Sequence, residues 1–101
     1  MKRNLIRYRT HSDRADENQR LIEAVFAELA ATRPEGVHYV ALRLPDDSFY
    51  HLVFFDSDTE PSNLTALPAF RTFQAGIRDR CAEPPGTSEV TVVGSYRMVE
   101  R

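Results

Sequence analysis

An α+β domain with the element order β-α-β-β-α-β is what this sequence predicts, on three features. Two segments carry apolar residues at helical spacing, two β-rich runs flank a short acidic turn, and the runs near either end alternate with period two. With 101 residues the chain reads as one domain, residues 1–101, because domains of about 100–150 residues are organised around a single core. Six phenylalanines, four tyrosines and abundant Leu and Val can supply that core without a disulfide or metal staple.

Residues 2–10 alternate Leu5, Arg7 and Arg9 against Ile6, Tyr8 and Thr10, the pattern of a strand with two unlike faces. Ser12 or Asp13 follows as a helix cap, with Asp16 and Glu17 in the first turn, where the helix dipole favours anions. Ile22, Val25, Phe26 and Leu29 then stand at i, i+3, i+4 and i+7, one apolar stripe about 100° wide. Arg33-Pro34-Glu35-Gly36 ends this helix, since Pro34 cannot continue it and Gly36 tolerates a positive φ. Residues 37–44 and 49–55 form a hairpin around Pro45-Asp46-Asp47-Ser48, and the polar stretch 56–64 is a loop. A second helix spans residues 67–82, with Pro68 in its first turn and Phe70, Phe73, Ile77 and Cys81 as its stripe. Pro84-Pro85-Gly86 stops it. Residues 89–99 then alternate Val90, Val92, Gly94, Tyr96 and Met98 against Thr91, Val93, Ser95, Arg97 and Val99, which makes them the last strand.

This order is the split βαβ of ferredoxin-like domains, in which four strands form one antiparallel sheet and both helices cover one face. The first and third strands are central; the second and fourth are edges. A turn centred on Asp46-Asp47 sets Leu44 opposite Phe49, Leu42 opposite His51, Val40 opposite Val53 and His38 opposite Phe55. That register puts His38, Val40, Leu42, Leu44, Phe49, His51, Val53 and Phe55 under the helices. Tyr39, Ala41, Arg43, Tyr50, Leu52 and Phe54 face the uncovered side, and a one-residue shift of the hairpin would reassign the partners. An apolar uncovered face on a soluble chain calls for a partner. Tyr39, Ala41, Tyr50, Leu52 and Phe54 are therefore the expected interface of a homodimer.

A formal net charge of −2 and a pI near 5.9 lack the basic footprint of a nucleic-acid binder. RNA-recognition modules share the element order. Here, however, the third strand, Ser48-Phe49-Tyr50-His51-Leu52-Val53-Phe54-Phe55, has no basic Arg/Lys-Gly opening beside its aromatics. No apolar run approaches the roughly 18 residues of a membrane span, and the basic N-terminus has no signal-peptide core behind it. The single cysteine, Cys81, excludes an internal disulfide or cysteine cage, fits a reducing cytoplasm, and is read as core packing. Asp46, Asp47, Asp56, Asp58 and Glu60 lie in turn segments and match no calcium loop. His38 and His51 stand about 13 Å apart along the paired strands, too far to share a metal, and no metal is expected. No phosphate-binding loop or nucleophile elbow is present in the sequence.

The segments 18–32 and 49–56, the run Leu67-Pro68-Ala69-Phe70-Arg71-Thr72-Phe73-Gln74 through Cys81-Ala82-Glu83-Pro84-Pro85, and Val93-Gly94-Ser95-Tyr96 resemble small bacterial proteins of the antibiotic-biosynthesis-monooxygenase-like family. The resemblance covers nearly the whole chain. It implies a dimeric α+β barrel, with two four-stranded sheets closed face to face and the helices outside. It also implies a cofactor-independent oxygenase of electron-rich phenols or quinols, working in a pocket between sheet and helices. Related haem-degrading members use a tryptophan on the third strand with an asparagine and a histidine. This sequence has no tryptophan, Phe55 stands near that position, and Asn4 matches the asparagine only by a shift. Haem degradation is therefore not expected, nor is any cofactor.

On this reading His51 is the candidate catalytic residue. It sits on a central strand facing the helices, and an unperturbed imidazole exchanges a proton near neutral pH. Phe49, Val53, Phe55, Phe70, Phe73 and Ile77 form the expected wall of a pocket for a small flat aromatic ligand. Tyr8, Tyr39, Tyr50 and Tyr96 are the hydroxyls available to orient it. The alternative is a non-catalytic dimer of the same fold that binds a small ligand or a partner, with His51 satisfied inside a filled core. An empty cavity with polar groups near His51 would favour the enzyme, and a packed aromatic interior the module.

Overall fold

The computed structural model describes residues 2–56 and 61–98. Strand β1 (Lys2–Thr10) leads through a 3-10 turn, Ser12–Arg14, into helix α1 (Ala15–Thr32). Strands β2 (Val37–Arg43) and β3 (Ser48–Phe55) form the hairpin. Three short helices follow, α2 (Ser62–Thr65), α3 (Pro68–Gln74) and α4 (Ile77–Arg80), before the last strand, β4 (Cys81–Glu89). All neighbours pair antiparallel in the order β2-β3-β1-β4, so β1 and β3 are central as expected. This is the α+β ferredoxin-like fold. One face of the sheet, through Ile6, Tyr8, Phe49, Val53 and Phe55, packs with Ile22, Val25, Phe70 and Phe73 in a single core. No helix among the described residues is long and apolar enough to cross a membrane.

The first helix ends as its sequence predicts. Arg33 turns left-handed at φ 48°, its N–H donates to Leu29 O at 2.8 Å, and Gly36 takes φ 76°. Its start differs, because neither Ser12 nor Asp13 caps it. Arg14 N–H donates instead to His11 O within the 3-10 turn, and the Arg14 guanidinium holds Glu17 at 2.7 Å.

The hairpin register is shifted by one residue from expectation. Arg43 pairs with Phe49, Ala41 with His51, Tyr39 with Val53 and Val37 with Phe55. The cause is a three-residue loop in which Asp47 takes a left-handed backbone, φ 67°, and Leu44 N–H donates to Ser48 O at 2.8 Å. Aspartate tolerates that region better than most residues, and the Asp46 carboxylate accepts the Ser48 N–H at 3.0 Å to close the turn. The shift exchanges the two faces of β2. Tyr39 and Ala41, expected at a dimer interface, lie under the helices. His38, Val40 and Leu42 lie on the face away from the helices with Tyr50, Leu52 and Phe54. Residues 90–98 run beside Leu52 and Phe54 there, and Phe54, expected at the dimer interface, is 7% exposed. His38 and His51 are thus on opposite faces, and His38 bonds Asp56 at 3.1 Å. Asp58 and Glu60 lie outside the described residues.

The second helix is broken and the last strand comes early. Gly76, at φ 79°, separates α3 from α4, and Cys81 opens β4 instead of closing a helical stripe. Pro84 and Pro85 stand inside β4, where the sequence suggests a helix stop. Because β4 is an edge, their missing N–H groups cost little, and the pairing with β1 shifts register beside them, between Arg7 and Arg9. Residues 90–98, read as the last strand, carry no strand, while α2 falls in the stretch read as loop.

Candidate functional site

A cavity of about 170 Å³ lies between the middle of the sheet and the α3–α4 segment. Strand β1 contributes Ile6 and Tyr8, β2 Tyr39, and β3 His51 and Val53. Phe70, Phe73, Gln74 and Ile77 close it from the helical side, and Pro85 and Thr87 from β4. Of the expected wall, Val53, Phe70, Phe73 and Ile77 are present beside His51. Phe49 and Phe55 are not: both are buried in the core, and Phe49 borders a separate groove of about 470 Å³ beside α1 and β2. Sequence reasoning misses Gln74 and Thr87. It finds Tyr8 and Tyr39 only as two of four undifferentiated hydroxyls, and the hairpin register hides the second.

Space and lining bound the ligand. Because an apolar cavity of about 150 Å³ accommodates benzene, this one has room for a single six-membered ring.

His51 is 3% exposed, and its ring lies 5.4 Å, centroid to centroid, from that of Phe73. Both its nitrogens are engaged, Nδ1 with Tyr39 Oη at 2.6 Å and Nε2 with Tyr8 Oη at 2.8 Å. Tyr8 Oη also accepts Asn18 Nδ2–H at 2.9 Å, and Asn18 Oδ1 accepts Arg80 Nε–H at 2.9 Å. Arg80 is 2% exposed, although arginine is rarely buried so fully. Its Nη2–H donates to Phe73 O at 2.6 Å and its Nη1–H to Ala75 O at 3.2 Å, carbonyls that the break at Gly76 leaves free of helical partners. The guanidinium also lies 5.5 Å from the Phe73 ring centroid. Five side chains from α4, α1, β1, β3 and β2 thus form one buried chain running from Arg80 to Tyr39. The sequence does not signal Asn18 or Arg80, because both are polar residues that ordinarily face solvent and they meet only in the fold.

Burial sets the electrostatics. It pushes the His51 imidazole down to about 4, and it pushes the Tyr39 and Tyr8 hydroxyls up, the latter against the Asn18 hydrogen bond. His51 is therefore neutral at physiological pH, which corrects the expectation that it titrates near neutrality. Burial lowers Arg80 as well, but a guanidinium remains charged in proteins. The half-buried Cys81 thiol is pushed up, away from thiolate reactivity. Among the described residues no cluster of His, Cys, Asp or Glu is placed to hold a metal ion.

No protein-family model matches the sequence, and no curated protein matches it. Solved structures do share its fold. A Nitrosomonas europaea protein, provisionally assigned as an antibiotic biosynthesis monooxygenase, superposes with a TM-score of 0.76 over 93% of this chain and 100% of its own, at 12% identity. A Bacteroides thetaiotaomicron protein with the same provisional assignment gives 0.77 over 91% and 89%, at 15% identity. A Mycobacterium tuberculosis protein gives 0.73 over 92% and 95%, at 12% identity. The first two carry the name of the family that the sequence resembles. At these identities the likeness shows the fold, and the activity in those names stays with those proteins.

Proposed function

We propose that the protein binds a small phenol or quinol against Tyr39 and His51 and oxidises it with O2 without a cofactor. One observation carries this reading: a ring-sized cavity, walled largely by Val53, Phe70, Phe73 and Ile77, with a polar corner where Tyr39, His51 and Tyr8 meet. A flat apolar ring bearing a hydroxyl complements such a space. In this oxidation the substrate itself supplies the electrons. The ionised phenol is electron-rich at a ring carbon bearing hydrogen; O2 adds there to form a hydroperoxide, and loss of water leaves a quinone. One oxygen atom stays in the product and the other leaves in water. His51 is a poor base for the ionisation. Moving a proton from a phenol of pKa about 10 to an imidazole held to about 4 is uphill by about 8 kcal/mol. Its role is to hold Tyr39, and ionisation is favoured by hydrogen bonds to the anion.

Oxygen uptake with a panel of monocyclic phenols and hydroquinones tests this. The wild type is expected to consume O2 with at least one of them. Tyr39→Phe and His51→Ala, checked as folded by their melting temperatures, should each lose at least tenfold in kcat/KM. Binding without uptake would assign the alternative, a ligand-binding module; neither binding nor uptake would end both readings.

The working unit on this proposal is a cytoplasmic homodimer closed through the exposed part of the sheet face turned away from the helices. Val40 and Leu42 are 37% and 56% exposed there, beside Tyr50 and Leu52. Covering such a patch is favourable, and a twofold axis lets it cover its own copy. Sedimentation at micromolar concentration should give about twice 11.6 kDa, and Leu52→Asp should shift the protein towards monomer. A wild type that sediments as a monomer would overturn the dimer.

A further inference from the structure

We infer that Arg80 sets the direction of the buried hydrogen-bond chain, so that Tyr39 offers its hydroxyl proton to the cavity and the site selects an oxyanion, a phenolate or enolate, over a neutral hydroxyl. This rests on the functional reading above and adds the ionisation state of its ligand.

The direction follows from placing each proton. A guanidinium only donates, so Asn18 turns Oδ1 to Arg80 and an Nδ2–H to Tyr8. Tyr8 is 2% exposed, and among the described residues the other partner of its Oη is His51 Nε2. Its own proton therefore goes to Nε2, since a buried O–H left unpaired costs about 1–3 kcal/mol. Neutral His51 with Nε2 accepting carries its proton on Nδ1, which donates to Tyr39 Oη at 2.6 Å. The Tyr39 proton is then free for the cavity that its side chain lines. Every bond in the series points from the cation towards the ligand, and each polarises the next. A bound oxygen thus meets a fixed donor backed by a positive charge, in largely apolar surroundings. The other ionisable groups near the chain are Cys81, from β4, and Arg14 and Glu17, which lie towards Arg80 and pair with each other. Arg80 and Asn18 are positioning residues, acting on the ligand through Tyr8, His51 and Tyr39.

Asn18→Asp is nearly isosteric and reverses the chain. A carboxylate accepts from Arg80 but has no N–H for Tyr8, so Tyr8 donates to it. His51 then protonates at Nε2, Tyr39 donates to Nδ1, and an acceptor faces the cavity. Nitrogen-15 NMR of His51 should show the Nδ1–H tautomer in the wild type and the Nε2–H tautomer in Asn18→Asp. The second probe is 4-nitrophenol, whose two ionisation forms differ in visible absorption. At a pH near its own pKa, it should bind wild type as the phenolate with at least tenfold preference, and Asn18→Asp should abolish or invert that preference. A wild-type Nε2–H tautomer overturns the inference without needing any variant to fold, as does wild-type binding of the neutral phenol alone; either leaves the cavity standing as a phenol site. An Asn18→Asp protein that keeps the wild-type tautomer also overturns it. If no phenol binds the wild type, it is the functional reading that fails, and the tautomer alone then decides the direction of the chain.

Discussion

Arg80→Met should destabilise the fold by about 3 kcal/mol. The substitution strands two buried acceptors, Asn18 Oδ1 and Phe73 O, at about 1–3 kcal/mol each, while Ala75 O sits on an exposed residue and turns to water. Part of that is returned, because among the described residues no carboxylate pairs with Arg80, and burying a guanidinium without a counter-ion carries its own penalty. The acceptors outweigh this relief because Asn18 Oδ1 and Phe73 O are both buried and methionine offers neither of them a donor. Urea unfolding at pH 7 measures the difference. A cost under about 1 kcal/mol would mean that the break rehydrates locally, and that Arg80 serves the chain of hydrogen bonds without holding the fold.

The same junction shows where sequence reading stops. Strand β1 and helix α1 are legible because each carries one unbroken period, and the hairpin is legible because polar turn residues separate two β-rich runs. Its register is not, since that depends on whether Asp47 adopts a left-handed backbone, a choice worth little energy that moves Tyr39 from one face to the other. Phe70, Phe73, Ile77 and Cys81 keep helical spacing straight across the break at Gly76, so periodicity alone runs the helix too far. Strand β4 leaves no pattern to read. It holds two prolines and no alternation, and it exists because β1 offers it a free edge. His51 is legible as a titratable side chain on a central strand facing the helices. Its partners are not, because they converge from four other elements and no local rule connects them.

Stability should fall as the pH drops from about 6.5 to about 4, through His51. Its ordinary value is 6.5 and burial holds it to about 4 in the folded chain. Between those values the unfolded chain takes up a proton that the folded chain refuses, so acid favours unfolding. The loss from this group reaches about 3 kcal/mol near pH 4 and levels off within about one pH unit below it. Above pH 7 both states hold His51 neutral, and it adds no slope. Glu17 and Asp46 are lowered by the Arg14 and Ser48 hydrogen bonds, so they too lose stability in acid, but only below their ordinary values of 4.5 and 3.8, and weakly because they are exposed. The interval from pH 4.5 to 6.5 therefore reports chiefly on His51 among the shifted groups. Urea unfolding across it should show the decline in wild type and lose most of it in His51→Gln, which keeps a hydrogen-bonding side chain without a proton to gain. A flat wild-type profile would mean that the folded chain accepts an imidazolium, with both tyrosine oxygens accepting from it. Tyr8 could then no longer donate to Nε2, the series from Arg80 would be interrupted at that bond, and the site would regain a group that exchanges protons near neutral pH.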